Sequence, residues 1–250
     1  MYFPLKRYLR AGLLLQAGLL LCWGGQAQAQ THKTPTASEV KKAVKHLASF
    51  HQGEADDGEM AGRVARKIVA YLKTHQLSTA EVTKLGLTLG PAAQDAAQLR
   101  VGSFSHESGG TRGTVDNVVV QWRNAEGELF AYHLPIECAF TELYPLRAVG
   151  RNMYLLLGNE KGSGICLGYT AYVLELKGNY LILDNQVFSV KDHSNKNELT
   201  ICNVAMTFDT GRQVLSLEAD GGPERADVYS DEPFTPFKLA FRQGRFVRLP

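Results

Sequence analysis

Residues 36 to 98 read as helical, with apolar positions recurring at helical spacing. "ASEVKKAVKHLASF" sets Val40, Ala43, Val44 and Leu47 on one stripe, and "EMAGRVARKIVAYLKTH" does the same with Ala61, Val64, Ala65, Ile68 and Leu72. "EADDGE" between them is a turn, and Ser78 with Glu81 has the S-x-x-E spacing of a capping box, which predicts a third, shorter helix ending near Gly86. "PAAQDAAQ" then predicts one more helical turn or a linker. From Leu99 onward the period changes to two. Runs such as "VDNVVVQW", "ICLGYTAYVLEL" and "LTICNVAMTF" are rich in β-branched and aromatic residues, and Gly, Asn and Asp punctuate them.

A regularity appears when the glycines are aligned. "VVVQWRNAEGELFAYHL", "YVLELKGNYLILD", "VAMTFDTGRQVLSLEA" and "FKLAFRQGRFVRL" each place a polar turn around Gly127, Gly178, Gly211 or Gly244 between two apolar strands. Glycine tolerates the positive φ of tight hairpin turns, so the pattern predicts four antiparallel hairpins. The expected fold is α+β: N-terminal helices packed on a mainly antiparallel β-meander of about ten strands, as a curved sheet, partial barrel or propeller-like array. Grouping the hairpins gives three blade-like units, one short of the smallest usual propeller. The expected domains are a signal peptide over 1–29, a helical segment over 30–98 and a β-rich domain over 99–250.

The ends and the composition place the chain. Lys6, Arg7 and Arg10 precede the apolar run Ala11 to Trp23, and Ala27-Gln28-Ala29 is an A-x-A cleavage site, which together read as a secretory signal. Leu21 stands where a small residue is required before a lipidated cysteine, so Cys22 is not expected to be an anchor. Export removes three positive charges and turns the formal +2 into −1, which is no footprint for nucleic acid. No later run has the roughly 20 apolar residues of a membrane-spanning helix, so no membrane span is expected. In an oxidising compartment Cys138, Cys166 and Cys202 predict one disulfide and one buried thiol, with the pair left open.

The chemistry-bearing residues concentrate in "SFSHESGGTRGT", residues 103 to 114. A strand ending near Phe104 and another beginning near Val115 would leave a loop of about ten residues, longer than hairpin loops usually run. Its weak catalytic candidates are His106 as base, Ser108 as nucleophile and Arg112 as anion clamp, beside Glu107 and the glycines 109, 110 and 113. Catalytic groups normally converge from separate elements, so a solvated loop tip or a partner loop is the plainer expectation. Ser108 with His133 and Asp184 makes a triad only if the fold gathers them. No G-x-S-x-G elbow occurs, and Cys166 lies in an apolar run where thiols stay inert. His133 and Glu137, four apart, have ligand spacing for a helix but not for a strand. "KDHSNKNE", with Asp192, His193, Asn195, Asn197 and Glu198, lacks the rhythm of a calcium loop, so no metal and no cofactor are expected.

"LRVGSFSHESGGTRGTVDNVVVQW" followed by "NMYLLLG" and "YTAYVLELKGNYLILDNQVF" resembles an uncharacterised family of exported β-rich proteins of Gram-negative bacteria. In that family a strand, a GGT loop and a strand ending near Q-W or Q-Y precede a YLLLG strand. The resemblance spans residues 99 to 188 and implies export without a known activity, so it carries over no catalytic residues. The expected function is that of a soluble, non-catalytic exported protein binding an unknown ligand or envelope partner in the periplasm or outside the cell. The rivals are a periplasmic hydrolase using the 103–114 loop, and a structural or envelope-assembly protein.

Overall fold

Thr36 and Glu39 start the first helix by capping each other: the Thr36 N–H donates to Glu39 Oε2 at 2.6 Å, and the Glu39 N–H donates to Thr36 Oγ1 at 3.3 Å. The computed structural model describes residues 33–49, 57–109, 113–190, 193–230 and 232–250; the expected signal peptide, Cys22, Arg112 and Asp192 lie outside them. Among the described residues the helices are α1 (Ala37–Ala48), α2 (Asp57–Leu72) and α3 (Thr79–Leu85). Ser78 accepts the Glu81 N–H, but the Glu81 carboxylate accepts the Tyr71 hydroxyl at 2.7 Å instead of closing the box. Gly86, at φ 78°, ends α3 in the left-handed conformation that favours glycine.

The β half forms three antiparallel sheets. Sheet I is β1 (Thr88–Ala92), β2 (Arg100–Gly109), β3 (Gly113–Arg123) and β4 (Leu129–Glu137), in that order. Sheet II contains β5 (Ala139–Ala148), β6 (Arg151–Lys161), β7 (Leu167–Lys177), β8 (Tyr180–Ile182), β9 (Ser194–Asn195) and β10 (Glu198–Cys202), ordered β5-β6-β7-β10-β9 with β8 also against β7. Sheet III is β11 (Val204–Asp209), β12 (Val214–Ala219), β13 (Phe237–Arg242) and β14 (Arg245–Arg248). All four glycine-centred hairpins are present, but among the described residues the strands do not form one meander, and no sheet closes into a barrel. The stretch read as a helical turn after Gly90 begins inside β1 instead. Pro91 has no ladder N–H to give, and an edge strand tolerates that.

The layers stack as helices, sheet I, sheet II, sheet III, and strand alternation builds the stack. On β3, Val119 joins the core under α1 and α2, while Val118, Val120 and Trp122 join the core against sheet II. On β6, Tyr154 and Leu156 face sheet I, whereas Met153, Leu155 and Leu157 face sheet III. β7 divides in the same way, with Tyr172, Leu174 and Leu176 on one side and Ala171 and Val173 on the other. A sheet covered on both faces needs apolar residues at every position, which is why "YLLL" and "AYVL" read as continuous runs.

Two buried fasteners and several blunted edges complete the stack. Gln121, 1% exposed, donates from Nε2 to the carbonyls of Leu72 and His75 at 2.6 and 2.8 Å, and its Oε1 accepts the Leu77 N–H at 2.7 Å. A strand side chain thus caps the C-terminal end of α2. Glu175, buried on β7, accepts two bonds from Arg151 at 3.0 and 2.6 Å and one from Asn185 at 2.6 Å. Pro91, Pro135 and Pro145 sit on the edge strands β1, β4 and β5, and Arg245 and Arg248 on the edge strand β14, where they oppose pairing with another chain.

Candidate functional site

The 103–114 segment is not the long loop that its composition suggests. β2 continues to Gly109 and β3 begins at Gly113, with a register shift between Glu107 and Gly109, so most of the segment is paired strand. Three of its polar side chains find partners on β3. The Ser105 hydroxyl donates to Asp116 Oδ1 at 2.6 Å, and the Ser108 hydroxyl donates to the Gly113 carbonyl at 3.0 Å. His106 is buried, and Asn117 Nδ2 donates to its Nδ1 at 2.9 Å. That contact engages Nδ1 within the strand pair. Arg112 lies outside the described residues.

The other imagined partners are spread over separate elements. His133 stands on β4 opposite Val119, its ring centroid 6.2 Å from that of Phe104, and burial holds its pKa below the usual histidine value. Asp184 follows β8, beside the end of β7 in sheet II, and is exposed. Cys166 is bonded to Cys202 and so is no nucleophile. Among the described residues no group of three or more His, Cys, Asp or Glu is placed to hold a metal ion. None of the described helices is long and apolar enough to cross a membrane.

At the same end of the strands a cleft of about 180 Å³ opens between β3, the β4–β5 junction and the end of β6, lined by Asp116, Glu137, Cys138, Asn159, Glu160 and Lys161 among others. The Cys138 thiol donates to the Asn159 carbonyl at 3.6 Å. Burial pushes its pKa far up, so it stays protonated and inert. Gly158 borders this region because a Cβ there would collide with the Ala139 backbone.

Beside the cleft, three loops are tied together. "LTICNVAMTF" reads as one strand but breaks at Asn203, whose φ of 53° turns the chain out of sheet II into sheet III. Asparagine tolerates that conformation. Its side chain makes three bonds: Oδ1 accepts the Leu167 N–H at 2.9 Å, and Nδ2 donates to the carbonyls of Ile165 and Arg225, each at 2.8 Å. The Cys166–Cys202 disulfide closes the same junction. The Asp227 N–H donates to the Cys202 carbonyl at 2.8 Å, and His193 Nε2 lies 3.0 Å from Asp227 Oδ2. The Tyr169 hydroxyl donates to Asp220 at 2.6 Å; that bond and burial push its pKa up to about 12.

Two large apolar side chains stand out from these tied loops: Ile165 at 69% exposure and Tyr229 at 70%. Ser163 Oγ and Tyr229 Oη are 3.2 Å apart, which links the two loops directly. Neither side chain drew attention in the sequence, since Ile165 opens an apolar run and Tyr229 sits in a polar one. The available signal was Asn203, a turn-former inside an apolar run. The chain matches no protein-family model, no curated protein and no solved structure.

Proposed function

We propose that this chain is an exported, non-catalytic β-rich module that binds a protein partner or ligand through the tied loops at the 165/229 end. The observation that carries the reading is the exposure of Ile165 and Tyr229 on loops held by a disulfide and by Asn203. Loop tips are usually polar and mobile, whereas binding sites concentrate their energy in a few aromatic or aliphatic anchors on a fixed support. The neighbouring cleft, with Asp116, Glu137, Glu160 and Lys161, supplies a polar rim. The disulfide is compatible with export to the periplasm or the medium, as is the signal-like N-terminus. The face-to-face stack of successive sheets is read as propeller-like, and its role as a support for loops suits either a binding module or an envelope-assembly protein.

The rival is a hydrolase working from His106 and Ser108. Fluorophosphonate labelling of the purified protein separates the two readings. We expect no adduct at Ser108, and no difference in esterase turnover between wild type and His106→Ala or Ser108→Ala. A Ser108 adduct, or turnover that these substitutions abolish, overturns the binding-module reading.

A further inference from the structure

An apolar side chain that stands in water on a fixed support gains free energy when a partner covers it, and the charges around it decide which partner approaches. Ile165 and Tyr229 stand in this way. The segment between β12 and β13, residues 220–236, surrounds Tyr229 with five acids, Asp220, Glu224, Asp227, Asp231 and Glu232, against one base, Arg225. Asp220 accepts the Tyr169 hydroxyl, and Asp227 meets His193. Glu224 and Glu232 are exposed, five residues before Tyr229 and three after it.

The side of the pair toward sheet I is acidic too. Ile165 sits in the β6–β7 turn, whose flanks Glu160, Lys161 and Leu167 line the cleft together with Asp116 and Glu137. Three carboxylates there stand against one lysine. Burial pushes the Cys138 thiol up, and the charges of Glu160, Asp116 and Glu198 push it in the same direction, which marks the cleft as a place of negative potential. Among the described residues these carboxylates do not gather in groups of three or more that could hold a metal ion. Charge spread over a loop and a cleft in this way meets several separate cationic groups better than it meets one ion.

We infer, on the reading of the 165/229 loops as a binding surface, that the partner is a protein segment that sets an apolar side chain against Ile165 and Tyr229 and flanks it with lysine or arginine for Glu224, Glu232 and the cleft. Protein interfaces divide their work in this way, with apolar anchors at the centre and charged groups at the rim. Like charge keeps acidic segments away, so complementarity sets both the rate of approach and the choice of partner. The chain's own cationic turn is already committed within one copy: Arg151 gives two bonds to Glu175, and Arg147 gives one to the Gly211 carbonyl.

The test is fluorescence anisotropy of the purified protein with three short labelled peptides: KKLWLKK, its acidic counterpart EELWLEE, and KKSGSKK, which keeps the charge without the apolar centre. We expect binding of KKLWLKK that weakens as salt rises, with the other two about tenfold weaker or more. Glu224→Gln/Glu232→Gln lowers the affinity about threefold or more, and Tyr229→Ala lowers it about tenfold. Glu126→Gln in the β3–β4 turn leaves it unchanged. All these side chains are exposed, so the thermal midpoints stay at the wild-type value and lost binding is not lost folding. Equal binding of EELWLEE, no binding of KKLWLKK, or unchanged affinity in the glutamine variant overturns the proposal. So does low-salt self-association that the glutamine substitutions abolish, which would make a second copy the occupant. A benzophenone crosslink from position 229 that persists at full strength in Glu224→Gln/Glu232→Gln overturns the charge selection alone, whereas no crosslink in the otherwise wild-type protein overturns the binding-surface reading with it.

Discussion

Gln121 and Trp122 are neighbours on β3 and fasten opposite layers. The Gln121 amide closes the C-terminal end of α2 through Leu72, His75 and Leu77, while Trp122 Nε1 donates to the Gly178 carbonyl of sheet II at 3.2 Å. Period two sends adjacent side chains to opposite faces, and here the faces belong to different layers. Gln121→Ala removes three buried hydrogen bonds and leaves their partners unpaired, so it should cost about 2–4 kcal/mol in urea unfolding. Trp122→Phe keeps most of the packing and loses one bond, for a cost of about 1 kcal/mol.

The Cys166–Cys202 bridge closes a loop of 36 residues. Chain entropy alone then gives a contribution of about 3–4 kcal/mol. Calorimetry with and without reductant should show a lower midpoint in the reduced protein, and Cys138→Ser should leave that difference intact, since Cys138 is free and buried.

Acid should destabilise the fold in two stages. Burial holds His133 below its ordinary value, and the Arg151 hydrogen bonds hold Glu175 below its own. The Tyr71 hydroxyl does the same for Glu81. Each group binds its proton more weakly in the folded than in the unfolded chain, so each supplies stability at neutral pH that is lost on acidification. The loss begins below about pH 6.5 for His133 and below about 4.3 for the two glutamates. Thermal midpoints measured from pH 7 to 3 should fall in both windows. His133→Gln should flatten the upper one, and Glu175→Gln should shrink the lower one from a reduced starting midpoint.

The sequence made the helices legible, because Val40, Val44, Ile68 and Leu72 repeat at a period that only a helix satisfies. It also made the hairpins legible, through Gly127, Gly178, Gly211 and Gly244. The division into three sheets was not legible. "YLLL" on β6 is apolar at every position, so it does not say which residue faces which sheet, and "LTICNVAMTF" hides its break in one asparagine. The 103–114 segment misled because Ser105, His106 and Ser108 find their partners on β3, in Asp116, Asn117 and the Gly113 carbonyl, while polar composition without partners reads as loop. Ile165 and Tyr229 were invisible as a pair because they are 64 positions apart, and only the folded junction at Cys202 and Asn203 ties their loops together.

The most direct measurement is site-specific photo-crosslinking in the cells that produce the protein. A benzophenone side chain is placed at Ile165, at Tyr229 or at the fully exposed Val149 in the β5–β6 turn. The account predicts the same discrete adduct from 165 and 229, none from 149, and a weaker adduct in Asn203→Ala, which removes the side-chain bonds to Ile165, Leu167 and Arg225. No adduct from either loop position, or an equal one from Val149, would contradict it.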